Sequence, residues 1–368
     1  MLTIFPKLMK ELLKPLPKND YPALSTFTFV SCWIGFALDK SIVSMRDLSA
    51  RLKMQGINVN TSTFSKASKI RETEPFEKII NKLNKSLVNK KGKEAAQALF
   101  PIDSTIISLT SKLLWTKGWH QVKLFCGINS ITTEVGGIVI NFGQGHDSKE
   151  GKKTIEEIPV NGVGVMDRGF SSNERIRKLL EKKDKHFVLR VKNDMKLEML
   201  ENGQSKLGAE KREVEVRIVE FCDLESKSEF RIATDLPLEG EEGVSNEEIA
   251  EMYRQRWQIE LLWKFLKMHL KLDRLITKNE RGIRIQIYSC IIAYLILQLI
   301  DIEEVFGKSL LDKLRYLQSF MCQHISYVHW FRKIVYSILK MAFCGCYIVK
   351  CKVLLRDSRF LGLGLFSD

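Results

Sequence analysis

Three carboxylates and a set of cations stand out as residues that could do chemistry. Asp103 lies in "PIDSTIISL", in the middle of a β-rich run where aspartate is disfavoured without a task. Asp167 ends the short apolar run of "NGVGVMDRGF". Glu260 sits in "YRQRWQIELLWKFLK", an apolar stretch that otherwise carries only cations and a phenol. On a continuous helix of about 100° per residue, Tyr253, Arg256, Glu260 and Lys267 fall within a stripe about 60° wide. Each acid alone has a plainer role. Asp103 could make a local turn with Ser104, Asp167 could be a turn residue, and the stripe could be a solvated ion-pair face. Together, carboxylates at strand ends and on an adjacent helix can converge above a sheet. Such an oxygen-only set suits Mg²⁺ or Mn²⁺, hard ions that keep waters and take substrate phosphates.

The elements that must position these groups follow from the texture of the chain. Residues 1–95 read as helical, with lysine and arginine outnumbering acids about two to one. Within them, "SMRDLSARLKMQGINVNTSTFSKASKI" predicts a helix from Arg46 to Met54, with Leu48 and Leu52 on one face. Gly56 supplies a turn, and a second helix starts near Asn60 or Thr61, both good N-caps. That helix would present Thr63, Ser65, Lys66 and Lys69, the layout of a helix-turn-helix and equally of an ordinary helical hairpin.

From residue 97 the order reads βββαβαβ: antiparallel strands, then α/β alternation, hence a mixed sheet. Residues 194–243 interrupt it with charged period-two segments, "REVEVRIVEF" and "SEFRIATDLP", read as an inserted β segment. Ser245 and Glu248 have capping-box spacing and start the helix that leads into the Glu260 stretch.

The bulk properties narrow the partner. A chain of 368 residues with net charge +14 and pI near 9.3 favours a polyanion, nucleic acid before an acidic membrane. "IQIYSCIIAYLILQLI", from Ile285 to Ile300, is short for a membrane span and carries two glutamines, so a buried core helix is expected. The first twenty residues scatter lysines among apolar residues without a continuous apolar core, so a cytoplasmic setting with reduced thiols is expected. Cys344, Cys346 and Cys351, with Cys322, His324 and His329 upstream, fit no common zinc spacing, and the cysteines are read as buried free thiols.

These motifs resemble the IS-four-type insertion-sequence transposases, which carry an Asp-Asp-Glu triad on a ribonuclease-H-like fold. "PIDSTIISL" looks like the first-aspartate strand and "VMDRGF" like the second-aspartate motif. Tyr253, Arg256, Glu260 and Lys267 match a Y-(2)-R-(3)-E-(6)-K signature at all four positions. The resemblance spans about residues 97–300. It implies an α/β fold in three parts: a helical DNA-binding region over 1–95, a ribonuclease-H-like catalytic domain over 96–305 with a β insertion near 194–243, and a helical tail over 306–368 that could serve dimerisation.

It also implies metal-dependent cleavage at transposon ends, then strand transfer by the freed 3′-hydroxyl, in a bacterial or archaeal cytoplasm. Asp103, Asp167 and Glu260 would be the catalytic metal ligands, with Mg²⁺ as cofactor and Mn²⁺ as substitute. Tyr253, Arg256 and Lys267 would contact phosphates. Lys123 matches a family position near DNA, and Lys66 and Lys69 join the expected DNA contacts. His146 and Asp147 resemble a supporting element, although a capped helix start is the plainer reading. The partners would be double-stranded DNA, both terminal inverted repeats and target, and a second copy of the chain, with no membrane. One departure concerns the β insertion. Relatives carry a base-stacking tryptophan there, whereas no Trp lies between Asp167 and Trp257; Phe221 or Phe230 could replace it. The alternative is a non-catalytic DNA-binding descendant of such an enzyme.

Overall fold

A computed structural model describes residues 4–321, apart from residue 55 and the stretches 93–97, 144–150, 201–203, 209–212, 223–228, 239 and 241–242. His146, Asp147, Ser148 and the cysteines and histidines beyond residue 321 lie outside the described residues.

Five helices open the chain: α1 (Ile4–Leu13), α2 (Thr26–Leu38), α3 (Met45–Met54), α4 (Thr61–Ile70) and α5 (Glu74–Lys91). Two of them begin at a serine that satisfies a free N–H, whereas Asn60 before α4 and Thr73 before α5 make no side-chain cap bond. Ser25 caps α2 by accepting from the Thr28 N–H, and Ser44 Oγ accepts from the Asp47 N–H at the start of α3. The turn between α3 and α4 uses Gly56 at φ 78°, a left-handed conformation that costs glycine little. Leu48 and Leu52 are buried, as is Phe64 on α4. Phe64 packs on Phe29 and Trp33 of α2, with ring centroids 5.3 and 5.6 Å apart. Aromatic pairs of this kind add about 0.5–1.5 kcal/mol each beyond area burial.

A mixed sheet follows, as the strand order predicts. Its strands are β1 (Leu99–Ser108), β2 (Gln121–Ile128), β3 (Val135–Phe142), β4 (Val163–Met166), β5 (His186–Arg190), β6 (Leu197–Met199), β7 (Ser205–Leu207), β8 (Val214–Cys222) and β9 (Glu229–Thr234). Their spatial order is β3-β2-β1-β4-β5-β9-β8-β7-β6. β1, β4 and β5 run parallel, and the other pairings are antiparallel. The period-two segments after residue 194 extend the sheet, because β9 hydrogen-bonds directly to β5.

Short helices α6 (Lys112–Trp115) and α7 (Lys152–Glu156) precede α8 (Asn173–Leu180), which Ser172 caps. α7 and α8 cover one sheet face through Ile155, Ile176 and Leu179, packed with Phe100, Ile102 and Met166. The other face carries Val163, Val165 and Val188 and is covered by Ile249 and Tyr253 of α9 (Asn246–Arg254). The capping box at Ser245 and Glu248 is formed in both directions.

Two further helices complete this body: α10 (Trp257–Leu270) and α11 (Glu280–Leu299). α11 contains the long apolar run, and Ile285, Ile287, Ile292 and Leu295 are fully buried between the sheet and the N-terminal helices. Although long and apolar enough to cross a membrane, it is a core helix here, with most of its apolar window covered. Residues 1–303 form one compact unit, so the segments 1–95 and 96–303 share a body. The second unit begins at Glu304; its described part is a 3₁₀ turn (Glu304–Phe306) and α12 (Leu310–Met321), where Ser309 and Asp312 cap each other and the Phe306 ring lies 5.0 Å from Tyr316.

One lysine ties the N-terminal helices to α10. Lys271 closes α10 in a left-handed conformation, φ 62°. Its buried ammonium donates to the carbonyls of Phe36 at 2.8 Å, Ile42 at 2.6 Å and Asp39. Burial draws its pKa down to about 8, so at neutral pH it remains mostly protonated, with three N–H donors for three carbonyls.

Candidate active site

Strand register brings the two aspartates together. β1 and β4 are parallel and pair up to Ile102 with Met166, so the next positions are Asp103 and Asp167. Neighbouring strands lie about 4.8 Å apart. Side chains alternate between faces, so Asp103 shares the face of Leu99, and Asp167 that of Val163 and Val165. This face carries α9. Asp167 is the first residue past β4 and caps a short 3₁₀ turn (Arg168–Phe170). The site therefore forms at the carboxyl ends of parallel strands, where α/β sheets commonly bind ligands.

The same register brings in a residue that the sequence reading missed. β4 pairs with β5 up to Met166 with Leu189, which sets Arg190 beside Asp167. The Arg190 guanidinium is 4.0 Å from the Asp167 carboxylate and lies over the Phe230 ring, 4.2 Å from its centroid. The available signal was a cation closing an apolar strand; only parallel pairing connects it to the acids.

Glu260 comes from α10. The continuous helix expected through Tyr253 to Lys267 is in fact two helices, with a break at Gln255 and Arg256. Arg256 N–H bonds to the Tyr253 carbonyl at 3.0 Å and Gln258 N–H to the Gln255 carbonyl at 3.1 Å. These i→i+3 bonds tighten the turn and let α9 and α10 follow separate paths. The function-bearing residues remain close across the break. Tyr253 Oη donates to Asp167 Oδ1 at 3.2 Å. Arg256 Nη2 lies 2.6 Å from Glu260 Oε1, and Lys267 Nζ donates to the Ile106 carbonyl of β1 at 3.1 Å.

The electrostatics are those of a crowded acidic cleft. Burial pushes the Asp103 carboxyl up to about 6; the Ser104 N–H and Arg256 oppose this, while Glu260 and Asp167 reinforce it. Asp103 therefore feels both of the other carboxylates. Burial also raises Tyr253 to about 12, helped by Asp167, so the phenol keeps the proton that it donates. For Arg256, burial works to lower the pKa, but Tyr253, Glu260 and Asp167 together hold it above its usual value. The Nε atoms of Arg190 and Arg256 are buried without a hydrogen-bond partner among the described residues, leaving donors for an anion.

Other sequence candidates are placed differently. Lys123, opposite Ile106 on β2, is buried with its ammonium 5.5 Å from the Phe125 ring centroid. Lys66 and Lys69 are exposed on α4. Phe221 and Phe230 stack on each other, centroids 5.2 Å apart and nearly parallel, and both touch the Tyr253 ring.

Among the described residues, no three Asp, Glu, His or Cys side chains are gathered closely enough to form a finished metal cage. The donor chemistry nevertheless fits a hard divalent cation: the set is all carboxylate, and burial, reinforced by the charges of Glu260 and Asp167, makes an ionised Asp103 costly, a cost that such a cation would relieve.

The Transposase DDE domain profile matches residues 95–296, a span that contains all three acids. The chain belongs to the DDE transposase family. A Synechocystis protein named as a transposase for insertion sequence element IS4SA is 56% identical over 337 residues, 91% of this chain and 99% of that one. A Geobacillus stearothermophilus protein named as a transposase for insertion sequence element IS5377 is 24% identical over 262 residues, 64% of this chain and 66% of that one. A Sinorhizobium fredii transposase, y4zB, is 41% identical over 51 residues, 14% of each chain. The IS-four-type resemblance read from the motifs thus holds, and the protein is a DNA transposase of an insertion sequence. Enzymes of this family act on DNA and generally use a divalent metal.

Proposed function

We propose that Asp103, Asp167 and Glu260 are the catalytic carboxylates and together hold Mg²⁺, or Mn²⁺ in its place, during cleavage at the ends of the insertion sequence and strand transfer into target DNA. The observation that carries this reading is the side-by-side position of Asp103 and Asp167 on parallel strands, with Glu260 near enough to perturb Asp103. A divalent ion there supplies Lewis acidity and a more acidic bound water.

The residues of this chain supply positioning. Arg256 neutralises the cleft through Glu260 and retains an unspent Nε donor for a phosphate oxygen. Lys267 lies against β1, where its charge can meet the next phosphate along the strand. Tyr253 holds the Asp167 carboxylate and stays protonated, so its role is orientation rather than base catalysis. Phe221 and Phe230, with Arg190 over the latter, form an aromatic wall on which an unpaired base can stack.

The division into residues 1–95 for DNA binding, 96–305 for catalysis on a ribonuclease-H-like sheet and 306–368 for association belongs to the same proposal. So do the helix-turn-helix role of α3 and α4, with Lys66 and Lys69 on phosphates, the recognition of terminal inverted repeats, the homodimer that cutting two ends requires and the cytoplasmic setting. The tight Arg256–Glu260 pair is the observation that favours the alternative, a DNA-binding descendant without catalysis, because it occupies a proposed metal ligand.

A labelled duplex bearing the element's end, incubated with and without Mg²⁺, separates the two. Metal-dependent nicking by the wild type that disappears in Asp103→Ala supports the enzyme. Binding with no nicking, in Mn²⁺ as well, supports the descendant.

A further inference from the structure

A groove outside the acidic cleft brings together cations from parts of the chain that are distant in sequence. On one side is α4, with Ser62, Ser65 and Lys69. Opposite lie Lys117, just after α6, and Lys278, just before α11. The trough holds about 550 Å³. Beside it, Leu109–Ser111 and Ile276–Lys278 line a second hollow of about 400 Å³, which begins one residue beyond the end of β1. The apolar Met45, Leu114 and Ile276 form much of the lining, and the ammonium and hydroxyl groups set among them are the chemistry that meets phosphate oxygens.

The charge balance decides what the trough takes. Lys69, Lys117 and Lys278 form no ion pair among the described residues, and all three are exposed. Glu280, which also borders the trough, is answered by Arg284 at 3.0 Å, and Glu72 beyond it by Arg281 at 3.2 Å. Glu280 and Glu72 are thus paired within the fold while the lysines are not; Glu77, on an adjoining hollow that Lys69 and Lys117 also border, is held by the Thr73 hydroxyl. β1 also links the trough to the cleft. From Asp103 to Leu109 a strand advances about 20 Å, the length of about six base pairs. Lys267 touches Ile106 part-way along this path.

We propose that Ser62, Ser65 and Lys69 of α4, together with Lys117 and Lys278 of the catalytic body, form one docking groove for the sugar–phosphate backbone of duplex DNA. The inference rests on the transposase reading above and deepens it: the N-terminal helices and the sheet do not bind DNA separately but share one continuous surface. Lys117 and Lys278 are the new members, since neither belongs to the helix-turn-helix or to the signature around Glu260.

The test compares the full-length wild type with Lys117→Ala/Lys278→Ala, on a 40-base-pair duplex copied from the element's terminus, over a salt series. A control, Lys182→Ala/Lys183→Ala, removes the same charge just after α8, at residues that do not line the trough. Each phosphate contact contributes about 0.9 to the slope of log K against log salt. The groove variant is expected to lose about two from that slope and to bind on the order of tenfold more weakly near 0.15 M salt, again from counterion release. The control keeps its slope within about half a unit of wild type, well below one phosphate contact. An unchanged slope in the groove variant, or an equal loss in the control, overturns the groove. Wild-type Mg²⁺-dependent nicking, read in the same samples, shows whether the transposase reading survives that failure. A wild type that neither binds nor nicks overturns both.

Discussion

Asp103→Asn should make the metal-free protein more stable while removing cleavage. Asp103 has an ordinary value of 3.8 in the unfolded chain and about 6 in the fold, chiefly through burial. A carboxyl raised in the fold contributes stability that is fully present below pH 4 and lost as pH rises through 6. Above pH 6 the charged group is buried beside Glu260 and Asp167, a cost of about 3 kcal/mol from 1.36 kcal/mol per unit. Asparagine keeps the shape without the charge. For a compact body of about 300 residues the unfolding entropy is about 0.6 kcal/mol/K, so the gain is about 4–5 °C in Tm at pH 7.5. The assay is thermal unfolding of both proteins in EDTA from pH 4 to 8. The difference should be near zero at pH 4 and grow through pH 6. Adding Mg²⁺ should raise Tm of the wild type and leave the variant almost unchanged, closing the gap. A variant less stable than wild type at pH 7.5, or a gap independent of pH, refutes the electrostatic account of this cleft.

Two further predictions follow from named contacts. Glu260→Gln should lower nicking by at least about a thousandfold, the scale of losing a group that acts only in the transition state, with end-DNA affinity within about threefold of wild type; nicking at the normal rate would remove Glu260 from the mechanism. Lys271→Met should destabilise by about 3 kcal/mol in urea unfolding, because it strands the carbonyls of Phe36, Asp39 and Ile42, and Lys271→Arg should recover part of that; a loss below about 0.5 kcal/mol would mean that the clamp is not structural.

The acids and their elements were legible in the sequence because their signals are local. Asp103 interrupts a β-branched run, Asp167 closes a short apolar strand, and Ser245 with Glu248 marks where α9 begins. The rest depends on long-range packing. Nothing local in "YRQRWQIELLW" announces the break at Gln255 and Arg256, since every residue there is a good helix former; two packing directions on one sheet impose it. Arg190 is invisible as a site residue until parallel register sets it beside Asp167. The burial of Lys123 reflects a strand that is buried along almost its whole length, which nothing local in "QVKLFCGI" announces. Nothing local marks Lys271 either, and only the fold brings three carbonyls to it.

The central claim is that Asp103, Asp167 and Glu260 share one divalent-metal site. Fe²⁺ substituted for Mg²⁺, with added hydrogen peroxide as oxidant and ascorbate to re-reduce the iron, generates hydroxyl radicals that cut the polypeptide beside the bound ion, and the cut positions can be read by mass spectrometry. The account predicts cuts near residues 103, 167 and 260 together, suppressed by excess Mg²⁺ and absent in Asp103→Ala. Mg²⁺-suppressible cuts elsewhere, or none near all three acids, would contradict it.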